Sequence, residues 1–264
     1  MILVVGAIQV IAVSFMIAWL IRHKCGEKFS RLYIAELIGL GFLALALAAV
    51  LGIVFWEDGF IQIDNPFLKG MITALLSAAL IEEISKYSMF RIAALNKKQV
   101  VTRLDAVIAS SVVALGFTIG EDILYSLEGG LGTLIRVFLP CHLLFGAVMG
   151  YYYGKAKNTN KWTYHVLSLV GPIVLHTIFD GIPFALSIIF DRLDLMTTSE
   201  TATNMDPVYL GIIICTLGIL TTFIIFFVLV IMTFRQVSKC SKNNLLNEEI
   251  NIDYKLMLLK KMVN

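Results

Sequence analysis

Apolar residues fall in seven runs long enough to cross a bilayer, which takes about 20 residues. They cover Met1–Ile21, Ile34–Trp56, Phe67–Leu95, Ala106–Leu127, Leu134–Tyr153, Tyr164–Phe190 and Tyr209–Phe234. Each predicts a spanning helix, because a segment in lipid must satisfy its backbone polar groups internally. Met1–Ile21 has no basic stretch before it and no small-residue cleavage site after it, so it reads as a first spanning helix rather than a removable signal. The expected fold is therefore all-α: a polytopic membrane protein with about seven transmembrane helices over residues 1–234, then a tail, 235–264.

The polar segments between the runs alternate in charge. Arg22–Tyr33, Asn96–Asp105, Gly154–Thr163 and the tail from Arg235 hold 16 of the 21 Lys and Arg residues, whereas Glu57–Pro66, Glu128–Thr133 and Asp191–Val208 hold only Arg192. Cytoplasmic loops carry the basic excess, which predicts a multi-pass cell-membrane protein with its N-terminus outside and its C-terminus in the cytoplasm. Composition agrees: 58% of residues are hydrophobic, 15% are charged, and the mean hydropathy is +0.85. Such values exclude an ordinary soluble domain and make the lipid bilayer the chain's surroundings. The net charge of +2 gives no reason to expect nucleic acid as a partner. Cys25, Cys141, Cys215 and Cys240 have no paired spacing and indicate neither a disulfide framework nor a thiolate metal site.

What alters the picture is charge inside the runs. Between Met71 and Phe90 the apolar side chains favour insertion by roughly 2–4 kcal/mol, while Glu82, Glu83 and Lys86 oppose it by roughly 8–10 kcal/mol. That helix needs partners or a polar cavity, and intramembrane charges of this kind mark functional sites. Glu82 and Lys86 are four apart and share a face, and Glu83 lies about 100° round from Glu82. The bland alternative is an internal salt bridge that lets three charges survive burial.

The next three runs repeat the theme. The fourth carries Phe117-Thr-Ile-Gly-Glu121-Asp122. The fifth carries Pro140-Cys-His142, followed by Gly146, Gly150 and Gly154 at a spacing that suits close helix packing. The sixth carries His176-Thr-Ile-Phe-Asp180, in which the carboxylate can hold the imidazole in one orientation, either for chemistry or as a tie between helices. Pro172 is expected to bend this helix just before His176. Four consecutive helices thus form a candidate four-helix core over about residues 65–190, equipped with acids and imidazoles suited to activating water.

These motifs, Glu82-Glu83-Ile-Ser-Lys86, Phe117-Thr-Ile-Gly-Glu121, His142 and His176-Thr-Ile-Phe-Asp180, resemble the four motifs of PrsW-type intramembrane proteases. That family is related to the CAAX prenyl endopeptidases and bacteriocin-processing enzymes. The resemblance covers roughly residues 65–189 and implies an intramembrane endopeptidase. Its implied partner is a membrane-anchored protein substrate, an anti-sigma factor in the family's stress-response cascade. It implies Glu82, Glu83, Glu121, His142, His176 and Asp180 as catalytic, with Lys86, Phe117 and Asp122 in support. Asp122 is a departure, since proteins of the family commonly carry Asn there. Either Glu82 or Glu83 can be the general base. Glu82, Glu83, Glu121, His142 and His176 can also supply ligands for a divalent metal such as zinc. The HExxH spacing is absent, and the same groups can work without a metal.

Two rival readings use the same residues. A proton- or ion-coupled transporter also needs intramembrane acids, but the internal repeat common in that class is not found. A non-catalytic membrane scaffold would have no use for the full set of acids and histidines.

From depth along the helices, Glu121 should lie roughly 9 Å and His142 roughly 12 Å below the outer surface. Glu82 and His176 lie nearer the midplane, so the cavity is expected to open outward.

Overall fold

A computed structural model describes residues 29–56, 61–96, 100–128 and 141–197, together with Ile224 and Arg235. Every element among the described residues is helical: α1 (Arg31–Phe55), α2 (Pro66–Thr73), a π-helical segment (Ala74–Ala79), α3 (Leu80–Asn96), α4 (Arg103–Glu128), α5 (Cys141–Thr159) and α6 (Trp162–Thr197). Among the described residues, three helices are long and apolar enough to cross a membrane, Arg31–Phe55, Arg103–Tyr125 and Trp162–Arg192. The continuous stretch from α2 to α3 matches the third expected span, divided by the π-helical segment into pieces of 8, 6 and 17 residues. The first and seventh expected spans and the tail lie outside the described residues, apart from Ile224 and Arg235.

The starts of the helices are written in local side chains. Ser30 caps α1 by accepting from the Tyr33 backbone N–H, and Asn65 caps α2 through the Leu68 N–H, with Pro66 at the first helical position. Thr102 and Asp105 form a reciprocal capping box at α4: the Asp105 carboxylate accepts from Thr102 N–H at 2.7 Å, and Thr102 Oγ1 accepts from Asp105 N–H at 3.2 Å. Two expected boundaries move. The fifth helix runs on to Thr159 rather than Tyr153, and the sixth continues through seven residues assigned to a loop, as far as Thr197. Arg192 donates to the Asp64 carbonyl at 2.7 Å, which holds that extra length against the start of α2. Pro172 and Pro183 both lie within one unbroken helix.

Packing rests on small residues. Buried positions of α1 (Tyr33, Leu37, Gly41, Ala44 and Ala48) form one stripe, while Leu43, Val50, Ile53 and Phe55 are exposed as a lipid-facing surface would be. Gly41 and Gly116 let the backbones of α1 and α4 touch: a Cβ at Gly41 would strike the Val113 carbonyl, and one at Gly116 would strike that of Ile38. The glycine row of α5 lies against α4 as expected, and Ser110 Oγ donates to the Gly146 carbonyl at 2.6 Å. At Gly150 a Cβ would meet the Ala106 carbonyl and Ser110 Oγ. Gly150→Val is therefore expected to lower stability by about 1–3 kcal/mol, since backbone cannot yield as a side-chain tip can. Thermal unfolding in detergent checks this, with Gly39→Ala, which meets nothing within 4 Å, as the silent control.

The segment between Thr73 and Leu80 was not foreseen. Leu80 N–H bonds to the Leu75 carbonyl five residues back, and Ser77 Oγ donates to the Thr73 carbonyl at 2.8 Å. A π turn absorbs one extra residue, which turns the helix beyond it by ~100° relative to an uninterrupted α-helix. Gly70 of α2 packs on Ala185 of α6. Measured from that face, the rotation brings Glu82 to within ~20° of α6 instead of ~120°. The extra residue thus aims the acids of α3 at α6.

Candidate active site

Lys86 is almost completely buried, and its Nζ is the hub of the site. It lies 2.9 Å from Glu83 Oε1, 3.1 Å from Glu82 Oε2 and 2.8 Å from His142 Nδ1, and 3.8 Å from the centre of the Phe117 ring. The ring face supplies a cation–π contact on the side the carboxylates leave open. Two of these contacts stay within α3, where spacings of three and four residues bring side chains together. The third crosses to α5. An ammonium has no acceptor, so Lys86 donates to His142 Nδ1, which leaves His142 Nε2–H to donate to Glu121 Oε2 at 2.7 Å.

His176 closes the other side. Its Nδ1 lies 3.0 Å from Glu83 Oε1 and its Nε2 2.9 Å from Asp180 Oδ2, with Glu82 Oε2 at 3.9 Å. The expected His176–Asp180 pair is present. The link from His176 to Glu83 is the part that spacing does not reveal. Phe145 stacks on the His176 ring at 5.0 Å between centroids and meets the His142 ring edge-on at 5.8 Å. It locks both imidazoles, and its only trace in the sequence is an aromatic one turn after His142.

Burial divides the two glutamates. The Glu83 side chain is fully buried; its Oε1 accepts from both Lys86 and His176, while its Oε2 finds no partner among the described residues. Glu82 and Asp180 each keep 16% of their side-chain surface exposed, and both face His176 Nε2. The cluster therefore opens at Glu82 and Asp180. Asp122 is buried on α4 beside Glu121. With Glu82, Glu83, Glu121 and Asp180 ionised and both imidazoles neutral, these four leave three negative charges uncompensated by Lys86. Bound protons or a cation must offset much of that in a low-dielectric interior.

The family model described as PrsW family intramembrane metalloprotease matches residues 30–233. The chain belongs to the PrsW protease family. Among PrsW relatives, Protease PrsW of Halalkalibacterium halodurans is 34% identical over 150 residues, covering 54% of this chain and 66% of that protein. Protease PrsW of Geobacillus kaustophilus is 38% identical over 117 residues (42% and 52%), and that of Bacillus subtilis is 36% identical over 122 residues (43% and 55%). The chain thus spans between about half and two thirds of the length of these PrsW proteins. No solved structure matches it significantly.

The PrsW family description implies a metal, and the residues fit one. Glu82, Glu83, His142 and His176 each offer a ligand atom, all within 4.8 Å of one another. Two imidazoles and two carboxylates are a zinc-type donor set, and Glu83 Oε2 is a buried acceptor with no partner among the described residues. Lys86 Nζ touches three of the four residues, so a cation among them would have to share or take its place. Of the expected ligands, Glu121 stands one step back, behind His142.

Proposed function

We propose that this protein is an intramembrane endopeptidase that hydrolyses a peptide bond in a membrane-anchored protein. The observation that carries the reading is the buried network joining α3, α4, α5 and α6 through Lys86, Glu83, His142 and His176. With family membership, it favours hydrolysis over transport, since every group is held by its neighbours and only Glu82 and Asp180 reach the opening.

In this reading Glu82 is the general base. A water at the opening gives a proton to Glu82 as its oxygen adds to the scissile carbonyl carbon. The resulting oxyanion shares the His176 Nε2–H with Asp180 at the opening, while Glu83 holds Nδ1 on the other side of the ring. Collapse of the intermediate breaks the C–N bond, and the proton on Glu82 passes to the departing amine. Glu83 is an anchor: its buried carboxylate orders Lys86 and His176 but cannot meet water from outside. Glu121 orients His142. If a divalent cation is resident, Glu83, His142 and His176 would hold it, with Glu82 at the open side, and it would polarise the carbonyl. Metal analysis of purified, active protein decides between the two forms.

The substrate class we infer is a single-span protein such as an anti-sigma factor, cut near the outer end of its helix. Glu121 lies seven residues from the end of α4 at Glu128, about 10 Å, which supports a site in the middle-to-outer half of the bilayer. The two ends of the bundle are distinct. Arg192 joins Asp64 at one end, and Lys157 donates to the Val100 carbonyl at the other. With the basic end cytoplasmic, Asp64→Cys in a cysteine-free background should react with an impermeant thiol reagent on intact cells. Lys161→Cys should react only after permeabilisation, and the reverse pattern would overturn the orientation. The activity itself is tested by reconstituting the protein in liposomes with a tagged single-span substrate. Two fragments are expected, and an uncut substrate in active-site-intact protein would count against the reading.

A further inference from the structure

At the basic end of the bundle, about two turns along α3 from Glu83, Arg91 of α3, Tyr153 of α5 and His165 of α6 converge. The Arg91 guanidinium carbon lies 5.4 Å from the centre of the Tyr153 ring and 5.9 Å from that of Tyr87, and the His165 ring meets Tyr153 edge-on at 5.6 Å. Arg91 makes no ion pair or hydrogen bond among the described residues; its contacts are these two ring faces. His165 Nδ1 is buried and has no partner among them. The pattern extends round α5: Arg103 rests on Tyr151 at 5.3 Å with a buried Nε that has no partner among the described residues, and Lys155 lies 4.3 Å over Tyr164.

Ring faces do not satisfy these groups. A cation–π contact attracts the charge but accepts none of the five guanidinium N–H donors in the way an oxygen does. Donors left without acceptors are costly where water is scarce. Arg91 is about 8 Å from the end of α3, Tyr153 about 9 Å from the end of α5 and His165 about 5 Å from the start of α6. Aromatic and basic side chains close to helix ends are the kind that sit at a bilayer's headgroup level, and the highly exposed Trp162 is placed as an interfacial anchor would be.

We infer that Arg91 and His165, floored by Tyr153, form a binding site for the phosphodiester of an anionic phospholipid headgroup. The half-exposed guanidinium fork of Arg91 takes one or both non-bridging oxygens, and the His165 ring walls the site beside Tyr153. The lipid ties α3, α5 and α6 together at the end of the bundle opposite the opening of the catalytic cluster. The site stands independently of the proposed protease activity and of which leaflet this end faces.

The test uses the purified full-length chain in detergent. Phosphatidylglycerol is expected to raise the thermal midpoint and to stay bound in native mass spectra, whereas phosphatidylcholine does neither. Arg91→Gln with His165→Gln should weaken phosphatidylglycerol binding at least about tenfold, the loss of charge-assisted hydrogen bonds. Lys161→Gln, an exposed charge at the same end, should not. Equal retention of both lipids by the wild-type chain would overturn the site, and that reading needs no variant to fold. So would undiminished phosphatidylglycerol binding by the double variant, or an equal thermal shift from inorganic phosphate alone, which would mark a free-anion site instead.

Discussion

Glu82→Gln is expected to lower cleavage of a membrane-anchored substrate by about 10²–10⁴-fold, the usual contribution of a positioned general base, while leaving protein level and thermal midpoint nearly unchanged. The side chain is isosteric and sits at the opening, and its ion pair with Lys86 at 3.1 Å is the longer of the two carboxylate contacts that Lys86 makes. Glu83→Gln should behave differently. It also abolishes cleavage, but it neutralises the one oxygen that accepts from both Lys86 and His176 in a fully buried place. Removing one partner of a buried ion pair costs about 3–5 kcal/mol, so this variant should unfold earlier as well. The pair of measurements, initial cleavage rate and thermal midpoint, separates base from anchor. Near-normal cleavage by both variants would end the assignment to α3. Equal stability loss in both would end the division of labour.

His176→Ala should remove nearly all activity, a fall of about 10²–10⁴-fold, because its ring reaches Glu83 on one side and faces the opening on the other. Asp180→Asn should retain part of it, falling about 10–100-fold, the range seen when a group that orients a histidine is altered. An amide oxygen can still accept from His176 Nε2, and Glu83 still holds Nδ1. If both substitutions leave cleavage intact and only lower the thermal midpoint, the pair is a tie between helices rather than part of the site. Loss of activity in Asp180→Asn as deep as in His176→Ala would give the Asp180 carboxylate a chemical role of its own.

Much of this site was legible without coordinates, for a reason that applies to any membrane segment. A charge inside an apolar run is too costly to face lipid, so Glu82, Glu83, Lys86, Glu121, His142, His176 and Asp180 had to face protein, and successive helices had to share them. Spacing within one helix also gave reliable contacts: Glu82 with Lys86, and His176 with Asp180. Spacing failed wherever a contact crossed between helices. Nothing in the sequence tells that Lys86 reaches His142, that Glu83 rather than Glu82 bonds His176 Nδ1, or that Phe145 clamps both imidazoles.

The π-helical turn at Ala74–Ala79 is the sharpest case. Its residues are ordinary small and aliphatic ones, so a period of 3.6 runs through them unbroken on paper. The extra residue is held by packing, with Gly70 against Ala185 on one side of the turn and Glu83 against His176 on the other. Hydrophobic periodicity and the cost of buried charge thus set which segments are apolar helices and which side chains turn inward, because both depend only on neighbours along the chain. Tertiary packing decided the rotation of α3, the choice between a sealed Glu83 and an open Glu82, and the partners at each imidazole. Those depend on how one helix is phased against another, and a single residue of phase is worth about 100°.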